Sequence, residues 1–147
     1  MEFVKFRKYG EETISVVVVH GGPGAPGEMK PVAEELSKSY GVLEPLQTAN
    51  SVQGQIDELI NTIEENTKGP ITLIGWSWGA WLAYLTAVQR PSLVRKLILI
   101  SGGPFEAKYT EGMMNTRLSR LTERERKRAE EILSLLKNCQ ANNAMFN

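Results

Sequence analysis

The sequence predicts an α/β fold, with a mostly parallel sheet carrying helices on both faces. Three observations point there. The runs "ISVVVV" (14–19) and "ITLIG" (71–75) are apolar without strict alternation, the pattern of strands covered on both faces, and "VRKLILI" (94–100) supplies one more strand. Between them, apolar residues return every three or four positions, the period of a helix. Glycine-rich segments follow directly after two of the runs, "HGGPG" at 20–24 and "GWSWG" at 75–79. Doubly wound sheets place their sites beyond such strand ends.

Taken in order, the strand at 14–19 is followed by Met29, Val32, Ala33, Leu36 and Tyr40, which predict an amphipathic helix over 28–39. "GVLEP" (41–45) is a short strand bounded by Gly41 and Pro45. Asn50 and Ser51 are both good N-cap types, and Val52, Ile56, Leu59, Ile60 and Ile63 mark one face of a second helix, ending near Lys68-Gly69-Pro70. After 71–75, Trp81, Leu82, Tyr84, Leu85 and Val88 occupy most faces of a third helix, so it is expected to be central. The strand at 94–100 comes next. Thr122 and Glu125 have capping-box spacing, and Ala129, Ile132, Leu133 and Leu136 form a helical stripe, predicting a helix over 123–137. "NCQANNAMFN" has no period and reads as a frayed tail from 139 onward. No repeat or low-complexity linker interrupts the chain.

Bulk composition narrows the function classes. A chain of 147 residues suits a single core. Its 17 basic and 17 acidic side chains balance, so no global field favours nucleic acid or an anionic membrane. "ERERKRAEE" alternates in sign, with Glu123 and Lys127 at i, i+4, and reads as a solvated helix face. The lone Cys139 allows no internal disulfide and no cysteine-rich metal framework, which suits a reducing compartment. No leader pattern opens the chain and no apolar run nears the ~20 residues of a membrane span. The expectation is a cytoplasmic protein without cofactor or metal, acting on a small molecule or short peptide.

"GWSWGAW" (75–81) carries the chemistry. It fits G-x-S-x-G, a pattern of serine nucleophiles held on a sharp strand-to-helix turn. Acyl transfer needs a base to take the serine proton and fixed donors for the oxyanion. Small residues at 75 and 79 let a strand and a helix meet closely around Ser77. The helix that starts at Trp78 aims unpaired N–H groups at the same spot. The Trp78 amide is therefore one expected oxyanion donor, and Gly22, in the turn after the 14–19 strand, is the other. On a plainer reading, Ser77 is a turn residue or helix cap. "HGGPG" as a phosphate loop is disfavoured, because it lacks the Lys-Ser/Thr ending and does not match G-x-G-x-x-G.

"HGGPG", "GWSWGAW" and the following "RPSLVRKLILIS" together resemble the α/β-hydrolase superfamily, most closely its proline iminopeptidase-like branch, over residues 14–104. The resemblance implies Ser77 as nucleophile, with the oxyanion held by the Trp78 amide and the Gly21-Gly22 segment. It also implies a partial hydrolase core over 1–106, a helical cap segment over 107–138 and a tail over 139–147. Trp76 and Trp78 read either as walls of an apolar substrate cleft or as core packing.

The family order of nucleophile, acid and histidine is not completed within these residues. The single histidine, His20, and the single aspartate, Asp57, both precede Ser77. His20 opens the oxyanion turn and is expected to bond local backbone, and Glu106 is a weaker candidate for the acid. Without a base, much of the rate enhancement is lost, so residues 1–147 alone are expected to have little activity. The strand at 94–100 is expected at an open sheet edge that favours self-association. A non-catalytic binding protein on the same scaffold is the alternative, and other chemistry on the same fold is not excluded.

Overall fold

The computed structural model of the chain describes residues 4–22 and 24–144; Pro23 and residues 145–147 of the expected tail lie outside the described residues. β1 (Phe6–Tyr9), β2 (Ile14–Val19), β3 (Gly41–Pro45), β4 (Ile71–Trp76) and β5 (Val94–Ile100) form one sheet in the order β1-β3-β2-β4-β5. Three pairings are parallel, with Val17 between Leu43 and Leu73 and Leu73 beside Leu97. The exception is β1, which runs antiparallel to β3, Phe6 opposite Pro45. The expected mostly parallel sheet is therefore present. β1 was not legible in the sequence, because "FRKY" is a four-residue edge strand that exposes Arg7 and Lys8 and has no apolar run of its own.

Alternation along the strands divides the apolar side chains between two layers. On one face Val17, Val19, Leu43 and Leu73 pack with Leu59 and Ile63 of α2 (Val52–Asn66) and with Leu82 and Ala83 of α3 (Trp78–Gln89). On the other, Val16, Val18, Val42 and Ile74 meet Met29 and Ala33 at α1 (Lys30–Leu36). Each buried Leu or Ile in these layers stabilises the fold by roughly 1.5–3 kcal/mol.

α1 is shorter than the expected 28–39. It is confined to Lys30–Leu36, and Val32 and Tyr40 of the predicted stripe stand exposed. α2 begins where the N-cap signal placed it: Ser51 Oγ accepts from the Gly54 N–H at 3.1 Å. Asn50, the other candidate, stands one residue earlier.

The chain divides after Gly103 into two compact units. The second unit, taken by itself, contains α4 (Thr110–Ser119) and α5 (Glu123–Ala144). α4 was not predicted, since "TEGMMNTRLS" carries no apolar stripe. At the start of α5 the capping box forms: the Glu125 carboxylate accepts from the Thr122 N–H at 2.9 Å and from its hydroxyl at 2.6 Å. α5 continues to Ala144, so the tail expected from 139 is helical over 139–144. Helix propagation adds one hydrogen bond per residue fixed, and no glycine or proline interrupts this stretch. Among the described residues, no helix is long and apolar enough to cross a membrane.

Candidate active site

Ser77 sits between the end of β4 and the start of α3, with φ 54° and ψ −117°. Positive φ is costly for a residue with a side chain, about 1–3 kcal/mol, and persists only where the surroundings impose it. The surroundings here are backbone. A Cβ on Gly75 would lie 2.8 Å from the Ala80 Cα and collide with the Gly79 carbonyl. A Cβ on Gly79 would lie 2.5 Å from the His20 carbonyl oxygen and collide with that of Val19. Strand β4, helix α3 and the end of β2 thus converge at distances that only glycine permits. The Ser77 N–H donates to the Ile100 carbonyl at 2.9 Å, which ties the turn to the end of β5.

The serine hydroxyl does not cap the helix that follows it. Ser77 is half-buried, so its side chain is neither lost in the core nor fully solvated. Trp78 is the first residue of α3, where a backbone N–H has no partner within the helix. The turn after β2 lies alongside: a Cβ on Gly21 would come within 2.8 Å of the Trp76 ring. Gly22 follows with φ 123° and is exposed. Ser77, Trp76, Trp78 and the Gly21-Gly22 turn therefore gather at the carboxyl end of the sheet, around β2 and β4.

The two indoles line different cavities. Trp76 joins Glu28, Met29, Val32 and Ile100 around an apolar cavity of about 350 Å³. Trp78 turns the other way; its indole N–H donates to Gln55 Oε1 at 2.9 Å, and its ring centroid lies 6.1 Å from that of Trp81. It lines a second cavity of about 380 Å³ with Gly24, Gln47, Asn50 and Ser51. The loop forming that rim is held by Glu58, which accepts from the Thr48 N–H (2.9 Å), the Thr48 hydroxyl (2.7 Å) and the Ala49 N–H (3.2 Å). Burial pushes the Glu58 carboxyl pKa up, but these hydrogen bonds outweigh it and hold the pKa below its ordinary value. Gln47, Gln55 and Glu58 were missed in the sequence reading. Gln47 and its neighbours follow a strand end, the one signal that would have drawn attention to them.

Of the remaining candidates in the first unit, His20 and Asp57 do not join Ser77. His20 is buried, and its Nδ1 donates to the Gly21 carbonyl at 2.7 Å. Its Nε2 has no hydrogen-bond partner among the described residues, the Ser77 hydroxyl included. Asp57 accepts from Gln53 one turn away on α2. Glu106 belongs to the second unit and pairs with Lys108 at 2.6 Å. Among the described residues no cluster of metal-ligating side chains occurs.

No family model and no curated protein matches the chain. Solved structures do. The protein VinJ superposes with a TM-score of 0.71 at 25% identity, over 93% of this chain and 50% of its own. A carboxylesterase structure from the ammonia-oxidizing thaumarchaeon Nitrososphaera gargenis matches with a TM-score of 0.61 at 25% identity, over 80% and 49%. The thioesterase domain from the curacin biosynthetic pathway gives 0.61 at 23%, over 74% and 46%. The chain spans about half the length of these structures. Its neighbours, esterases, lipases and epoxide hydrolases among them, are α/β-hydrolases, and the five-stranded mixed sheet with its helices matches part of the α/β-hydrolase core fold.

Proposed function

We propose that this chain carries the nucleophile and oxyanion donors of a serine hydrolase acting on an ester or amide, with an aminopeptidase of the proline iminopeptidase-like branch as one candidate activity. Ser77 attacks the carbonyl carbon, and the Trp78 and Gly22 amides receive the negative charge that develops on its oxygen. One observation carries the reading: Ser77 holds a positive φ between two glycines whose neighbours leave no room for a side chain. A turn that needs only a polar residue has no use for such strain.

In this reading residues 1–147 alone turn over slowly. The only imidazole in the sequence is bonded to the Gly21 carbonyl, and no base touches the Ser77 hydroxyl among the described residues. That same feature favours the second reading, a binding protein that keeps the scaffold without the chemistry. A fluorophosphonate probe followed by peptide mass mapping separates the two. The hydrolase reading expects slow modification at Ser77, accelerated by added imidazole and abolished in Ser77→Ala. A folded sample that stays unmodified with and without imidazole favours the binding protein.

A further inference from the structure

Gln47, one of the residues lining the cavity beside Trp78, has side-chain polar atoms that are sealed from solvent and unused. Gln47 is nine-tenths buried, and neither its Nε2 nor its Oε1 has a hydrogen-bond partner among the described residues. A buried amide left in this state is unfavourable, and native folds satisfy such groups almost without exception. Nothing bonds this amide in place, so turning it toward a ligand in the cavity breaks no existing hydrogen bond.

The cavity around it is built rather than incidental. Glu58 fixes the Thr48-Ala49 rim by three hydrogen bonds, and Gln55 spans the wall, accepting from the Trp78 indole and donating to the Ala49 carbonyl at 2.9 Å. Ser51 caps α2 through Gly54, which leaves the first amides of that 15-residue helix, Val52 and Gln53, without partners inside it. Among the described residues, no charged side chain lines this cavity. Its position is also defined: Trp78, whose backbone N–H is the proposed oxyanion donor, forms one wall, and Gly24, just beyond the Gly21-Gly22 turn, forms another.

We infer that this cavity is a subsite for a secondary amide of the substrate, one peptide unit removed from the bond under attack, and that Gln47 is its specificity-determining residue. A side-chain carboxamide offers one donor and one acceptor side by side, and a peptide unit offers the complement. The ligand carbonyl takes the Gln47 Nε2–H, supported by the amides that open α2, while the ligand N–H goes to Oε1. An ester cannot supply that last bond. Calling the occupant a substrate rests on the proposed role of Ser77; its binding does not.

The test is therefore made in the Ser77→Ala chain, by ¹H–¹⁵N NMR titration with N-acetyl-leucine methyl ester (the amide) and with its depsipeptide analogue methyl 2-acetoxy-4-methylpentanoate (the ester), which differ only in the N–H offered to the subsite. Shifts are read at the Gln47 side-chain NH₂ and the Trp78 indole. The amide is expected to bind roughly five- to tenfold more tightly than the ester. Gln47→Leu removes that preference and raises the melting temperature, because it deletes an unpaired buried amide. Gln47→Glu, close in shape, weakens amide binding by removing the donor and serves as a second readout if the leucine variant fails to fold. Equal affinity for amide and ester overturns the inference. So does a lowered melting temperature in Gln47→Leu, which signals an internal structural bond, or tighter binding of free N-acetyl-leucine, which marks an anion site. Failure of fluorophosphonate labelling, by contrast, bears on Ser77 alone.

Discussion

Gly75→Ala tests the physical basis of the site most directly. The added methyl would stand 2.5 Å from the Gly79 carbonyl carbon and 2.8 Å from the Ala80 Cα, in collision with the carbonyl oxygen between them. All of these are backbone atoms, so no side chain can rotate away. Nor can α3 retreat freely. Its Gly79 is itself pressed on the carbonyls of Val19 and His20, while Leu82 and Ala83 are fully buried in the core. Relief requires moving the helix off the strand, which opens gaps on one side as it removes overlap on the other. Overpacking a core typically costs 1–3 kcal/mol, and contact with backbone places this case near about 3 kcal/mol. For a chain of this size that corresponds to a melting temperature lower by roughly 6–12 °C. Thermal and urea unfolding followed by circular dichroism measures it, with Gly69→Ala as control, since nothing lies within 4 Å of a Cβ there. A Gly75→Ala chain within about 0.5 kcal/mol of the parent, the range of unremarkable surface substitutions, would refute the close approach on which the Ser77 geometry depends.

Three further outcomes follow from the same coordinates. Ser77→Gly relieves the positive φ and should raise stability by on the order of 1 kcal/mol after the extra backbone entropy of glycine is subtracted, whereas Ser77→Ala should leave it unchanged; urea midpoints decide. The Glu58 carboxyl, held in the fold below its ordinary 4.5, contributes stability that is full above that value and is lost as pH falls through the lower folded-state value. Stability of the parent chain should therefore fall more steeply with acidification in that window than that of Glu58→Gln, and parallel slopes would sink the assignment. β5 stands at one end of the sheet with Leu99 and Ile100 both more than 40% exposed, so the chain should self-associate at micromolar concentration and Leu99→Lys should reduce this. Light scattering that finds a monomer in both cases rejects that expectation.

The parts of the molecule legible in the sequence are those with a local signature. Largely apolar runs mark β2 and β4, because a strand covered on both faces leaves few positions for a polar residue, whereas β5 is legible by its apolar Leu97–Ile100 end although it stands at the sheet edge. The α2 cap and the Thr122–Glu125 box were readable because each is a contact between residues three apart. β1 escaped because an edge strand of four residues takes its partner from β3, more than thirty positions away. The end of the last helix escaped as well, since composition without periodicity says nothing about where hydrogen bonding stops.

Sequence alone determined the strand–turn–helix order around Ser77, since the spacing of glycine, serine and apolar residues is a property of the chain itself. Only the tertiary structure decided which way each indole turns, and that Gln47, Gln55 and Trp78 meet at one cavity whose Thr48-Ala49 rim Glu58 holds. Gln47 and Gln55 stand eight positions apart and Trp78 another twenty-three along the chain, and what unites them is the side-by-side pairing of β3, β2 and β4, which brings the segments after β3 and β4 together at the carboxyl end of the sheet, a relation no local pattern encodes.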